Sequence, residues 1–133
     1  FQFNLSADTG SNYNVTKTTT YFRSGHEEDD SATYLDYLTG HDLAQSTANQ
    51  DIAFQSGNDN DQSVSGFLHL FEPSSTTFVK HFICTVQYSN YANRSFNNRI
   101  AGYANTTSAV DAIQFSMSSG NIDAGDICLY GIA

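Results

Sequence analysis

Hydrophobic residues recur along this chain at every second position, in short runs broken by turn-forming residues. That period fits β-strands and no helix. Phe1, Phe3 and Leu5 alternate with Gln2, Asn4 and Ser6, and the run Asp8-Thr9-Gly10-Ser11-Asn12 ends them. Residues 13–23 are rich in Thr and read as a second strand, because β-branched side chains are stiff in a helix and suit a pleated surface. Residues 24–31 form a charged loop, and Tyr34 to Leu38 is a third strand. In residues 39–51, Asp42 is placed to cap a short helix through Ala48, but Thr, Ser and Asn favour irregular structure there. Ile52 and Phe54 mark a further short strand, closed by the turn-forming residues 56–61.

Val64 to Phe71 is apolar on both faces, as an interior strand is, and the only proline follows in the turn Glu72-Pro73-Ser74-Ser75. Thr77 to Tyr88 is the longest strand expected. Phe78, Phe82, Cys84 and Val86 lie on one face of it and Val79 and Ile83 on the other. Asn90 to Asn98 reads as a polar, aromatic loop, followed by a strand around Ile100 to Tyr103. Two final strands, Ala112 to Met117 and Asp126 to Ile132, are joined across residues 118–125. About eight or nine short strands with such dense turn signals imply an all-β domain, a single β-sandwich with a jelly-roll-like layout over residues 1–133. Since the chain starts at Phe1 without a methionine, it reads as processed or partial.

Charge narrows the partners. Fourteen acidic residues face five basic ones, a formal charge of −9. Lys17, Lys80, Arg23, Arg94 and Arg99 are scattered, whereas a surface that tracks phosphates needs clustered cations. The expectation is therefore no nucleic acid and, for the same reason, no anionic membrane surface. No run approaches the roughly 18 apolar residues of a membrane-spanning helix.

Chemistry-bearing motifs are sparse. Cys84 and Cys128 lie outside any CxxC spacing and read as strand residues with free thiols rather than a disulfide. His26, His41, His69 and His81 show no HExxH or i, i+4 pairing. Glu27 to Asp30 supplies oxygens suited to calcium, yet consecutive like charges commonly form a solvated loop tip. Asp59-Asn60-Asp61 starts like a calcium loop but has Leu70 where the bidentate acid belongs. No Gly-x-Ser-x-Gly elbow occurs. The expectation is no enzymatic activity, no cofactor and no metal.

Two surfaces stand out instead. Tyr88, Tyr91, Asn93, Arg94 and Phe96 combine residue types that stack on sugars and hydrogen-bond to hydroxyls, or that enrich subunit interfaces. Phe67, Phe71, Val79 and Ile83 exceed what a two-layer core needs, because each sheet of a sandwich buries one face. They point to a subunit contact unless the loops at 39–51 and 88–98 cover them.

The chain's end carries a resemblance. Ile113, Phe115, Ser119, Gly120, Ile122, Gly125, Ile127, Leu129, Tyr130, Gly131 and Ile132 fall in the pattern I-x-F-x-x-x-S-G-x-I-x-x-G-x-I-x-L-Y-G-I. This resembles the closing hairpin of many virion structural proteins of tailed bacteriophages: capsid decoration, head-fibre and tail-fibre proteins. Tyr21-Phe22-Arg23, Ala32-Thr33-Tyr34 and Phe71-Glu72-Pro73 match less specifically. The resemblance implies a β-rich, homotrimeric capsid decoration (cement) protein located in the virion, with phage capsid or tail proteins as partners. Its alternative is a tail-fibre domain that binds a host-surface glycan.

Overall fold

In the computed structural model, which describes residues 1–132, eight strands form two antiparallel sheets and no helix is present among those residues. The strands are β1 (Gln2–Ser6), β2 (Lys17–Glu27), β3 (Thr33–Tyr37), β4 (Gln50–Asp51), β5 (Val64–Leu70), β6 (Lys80–Ser89), β7 (Arg94–Ala104) and β8 (Ala112–Ser116). One sheet has the order β4-β1-β8 and the other β3-β2-β7-β6-β5. The first strand pairs with the last and the second with the seventh, in different sheets. These two pairs nest, but β2 and β3, β5 and β6, and β6 and β7 pair as sequence neighbours, so the arrangement is a two-sheet β-sandwich without the full nested pairing of a jelly roll.

The alternation does what the sequence implies. Along β6, Lys80, Phe82, Cys84, Val86 and Tyr88 are buried, while His81, Ile83 and Gln87 are exposed. Phe3 of β1 meets Phe82 edge-on at 5.2 Å, joining the two sheets. Leu5, Tyr21, Phe96 and Ile100 complete the buried centre, with Ile52 and Ala53 packed in from the segment after β4.

Several boundaries differ from the sequence reading. The expected loop at Asn90 to Asn98 shrinks to a turn, because β7 begins at Arg94 and runs without a break to Ala104. Asparagines disguised the alternation there: Phe96, Asn98 and Ile100 all point inward, and Asn98 is fully buried. The second strand starts at Lys17, not residue 13, and extends through the expected loop to Glu27. The short strand near Ile52 lies instead at Gln50–Asp51. Phe78 is 70% exposed rather than part of the core face, since β6 starts only at Lys80. Segment 39–51 is irregular up to β4, and its carbonyls at Leu43 and Ser46 accept from Thr19 and Lys17 on the edge of β2.

The largest departure is at the end of the chain. Residues 126–132 form no strand and pair with nothing, so the expected closing hairpin and the strand position of Cys128 are both absent. Cys84 is a buried strand residue and Cys128 is exposed, and both are free thiols. Burial pushes the Cys84 thiol up to about 12. A thiol reagent should therefore titrate two groups in denaturant without reductant and no more than one in the folded protein. A second rapid reaction under native conditions would contradict the burial of Cys84.

Candidate interaction surface

All five cations have definite places. Lys17 and Lys80 are fully buried, flanking Ala104 on either side of β7. The Lys17 ammonium donates to the Asn4 side-chain oxygen and, at 2.9 Å, to the Val15 carbonyl. Lys80 donates to the carbonyls of Phe78 at 3.0 Å and Thr106 at 3.2 Å. Among the described residues no carboxylate is bonded to either. Arg23 reaches Asp36 at 2.6 Å and lies 4.6 Å above the Phe96 ring, and Arg94 sits 2.6 Å from Glu27. Only Arg99 is exposed without an acidic partner among the described residues.

The buried lysines were not legible as such from composition, though parity could have found them. Lys17 is in phase with Thr19 and Tyr21, and Lys80 with Phe82 and Cys84. Burial without a counter-charge lowers the Lys17 amine from 10.5 to about 8. A base whose folded pKa is depressed costs stability in full below that pKa. The cost is relieved as pH rises towards the unfolded value, because the unfolded chain then holds the extra proton. Cys84 acts in the opposite sense above pH 9.0, since its folded thiol stays protonated longest, and buried Tyr21 and Tyr88 follow. Stability in urea melts should therefore rise by about 1 kcal/mol from pH 8 to pH 9 and fall beyond. Lys17→Met should abolish the rise, and a variant that kept it would trace the effect to another group.

The outward face of the five-stranded sheet carries the surplus apolar residues. Register aligns Phe67, Thr85, Arg99, Phe22 and Tyr37 in one row across all five strands. The next row runs His69, Ile83, Ala101 and Thr20. Phe67 is 54% exposed, Phe71 46%, Ile83 48% and Phe22 49%. Val79 is half-buried and precedes β6, so it is peripheral to this face. The irregular segment 39–51 bonds at the β2 edge and leaves Phe67 and Ile83 uncovered. His69 lies between Phe67 and Phe71, at 5.0 and 6.3 Å between ring centres. Exposed Phe and Tyr side chains in one row with a single Arg are the composition of an interface core, where these residue types are enriched.

The other candidate group is divided by the fold. Tyr88 and Phe96 are buried core residues, so neither offers a surface to a glycan or a subunit. Their inward phase follows from their places on β6 and β7. Arg94 is held by Glu27. Tyr91, 60% exposed, and Asn93, with φ of 56°, remain at the β6–β7 turn. That turn is tied to the loop after β4, because Tyr91 N–H donates to Gln55 and the Gln62 amide donates to the Asn90 carbonyl. Beside it a shallow groove of about 240 Å³ is lined by Glu27, Glu28, Asp29, Ala92 and Asn93.

Among the described residues no three His, Cys, Asp or Glu side chains are grouped to hold an ion. His41 is engaged with Asp51 at 2.8 Å and stacks on Phe54 at 4.0 Å, while His26 faces Asp30. No helix among the described residues is long and apolar enough to cross a membrane. No protein-family model matches this chain, and no curated protein and no solved structure is similar to it.

Proposed function

We propose that the chain is a structural module of a tailed-bacteriophage particle, a capsid decoration protein that works by contact rather than catalysis and assembles as a homotrimer. The observation that carries the contact reading is the open outer face of the five-stranded sheet, with Phe67, Phe22, Tyr37, Phe71 and Ile83 around Arg99. Contiguous exposed apolar surface of this kind marks association sites. The phage assignment draws on the terminal pattern from Ile113 to Ile132. Net acidity suits a protein displayed in many copies, because like charge limits non-specific association.

A second reading, a glycan-binding tail-fibre domain, is favoured by Tyr91 and Asn93, which stand exposed at one end of the sandwich. Quantitative mass spectrometry of purified particles separates the two. Hundreds of copies per particle support decoration and a few dozen or fewer support a fibre. Absence from particles overturns both. Light scattering checks assembly: the expected mass is about three times 14.6 kDa. A single-chain mass at tens of micromolar would remove the case for a trimer.

A further inference from the structure

We propose that residues 126–132 of one copy add a strand to the free edge of β8 in a second copy. The inference rests on the reading of this chain as self-assembling, but not on its residence in a phage particle.

The donor is an apolar, alternating segment that belongs to no sheet. Ile127 and Leu129 alternate with Cys128, Tyr130 and Ile132, a β pattern apolar on both faces. Every residue from Ser118 to Ile132 is nevertheless exposed, with Leu129 at 90%, Tyr130 at 79% and Ile132 at 87%. A segment with this pattern does not gain from facing water along its whole length. Its natural stable form is paired, with at least one face covered.

The acceptor lies at the margin of the smaller sheet. β8 pairs with β1 on one side only, and among the described residues the backbone of residues 112–116 makes no hydrogen bond along its other edge. Such an edge is a ready template for a further strand. The facing sheet has five strands against three, so the sandwich is incompletely roofed. Val64, Leu68 and Leu70 of β5 and Ile113 and Phe115 of β8 pack against the core but remain only partly buried. A fourth strand beside β8 would shelter these residues and give the tail a covered face.

The connection favours a second copy over the same chain. Residues 117–125 separate β8 from the segment, longer than the roughly two to five residues that close most hairpins. They turn at Gly120 and Gly125, with φ of 76° and 135°, and in the single chain they leave residues 126–132 unpaired. Extended, such a connection spans up to about 30 Å, enough to reach a neighbouring subunit. One donor and one acceptor per chain then close a symmetric ring or dimer with none left over.

The test places a photo-crosslinking benzoylphenylalanine at position 129 of the 133-residue chain, in an equal mixture of ¹⁴N- and ¹⁵N-labelled protein. The expected result is a chain-to-chain crosslink, with peptides of mixed label joining the tail to residues 112–116. Crosslinks to residues 112–116 that carry only a single label, with no mixed pairs after the two proteins are unfolded and refolded together, show a hairpin within one chain and overturn the proposal. An oligomer whose crosslinks fall elsewhere, or fail to form, overturns strand addition while leaving self-assembly in place. A monomer by light scattering overturns both. As a second measurement, Leu129→Asp with Ile132→Asp should weaken self-association about 100-fold and leave the thermal unfolding of the separated subunit unchanged, since neither side chain contributes to the core.

Discussion

Truncating Phe82 to alanine is expected to destabilise the folded chain by about 3–5 kcal/mol, enough to leave a domain of ordinary stability largely unfolded. Phe82 is 1% exposed, lies near the start of β6 and meets Phe3 across the two sheets. Removing the ring deletes buried apolar area and leaves a cavity, and the β-ladder on both sides prevents much collapse into it. Its neighbour in the row on β7 is Gly102, which has no side chain with which to fill the space. Urea denaturation followed by tyrosine fluorescence measures the loss. A change under 1 kcal/mol would show that the sheets are not joined through this contact.

Gly25→Val should cost about 3 kcal/mol for the opposite reason, excess volume in a filled place. Gly25 and Phe96 are directly opposite across β2 and β7, and the Phe96 ring lies over the glycine. A Cβ at position 25 would stand 2.2 Å from Phe96 Cδ1. The ring cannot swing aside cheaply, because Arg23, Tyr34 and Tyr88 pack around it at 4.6, 5.8 and 5.8 Å. Covering a strand glycine with a cross-strand aromatic is a known way of stabilising a sheet. Gly40→Val is the control, since nothing lies within 4 Å of its added Cβ, and it should stay within about 0.5 kcal/mol of the parent. Equal melting curves for the two variants would mean that Phe96 has room to move.

Both effects come from parity, and parity was legible. Once the strands are recognised, each inward residue of β6 follows from counting by two, Lys80 included. The turns were legible where Gly, Asp, Asn or Pro mark them, as at residues 8–12 and 72–75. Reading failed where polar side chains occupy inward positions. Asn98 interrupts an otherwise apolar face, and its side-chain NH2 finds acceptors inside, donating to the Ile52 carbonyl at 2.9 Å and to the Tyr21 hydroxyl at 2.5 Å, while its Oδ1 is buried without a partner among the described residues. A hydrophobicity pattern sees only a polar residue there and breaks the strand. The long-range acceptor that makes the burial tolerable is invisible to it.

The same distinction applies to the candidate surfaces. Phe67, Phe71 and Ile83 were legible as surplus because two-faced apolar strands exceed what one core can use. Tyr88 and Phe96 read as surface residues only while their segment was taken for a loop, and strand parity turned both inward. By itself, then, the sequence determined the strand content, the two-layer architecture and the excess of apolar surface, because these depend on local period and composition. Tertiary structure decided which strands share a sheet, which carbonyls receive the buried lysines and that the final apolar segment has no partner among the described residues. Those outcomes depend on pairings between residues far apart in sequence, such as β1 with β8 and β2 with β7, and no local pattern encodes which edge is left open.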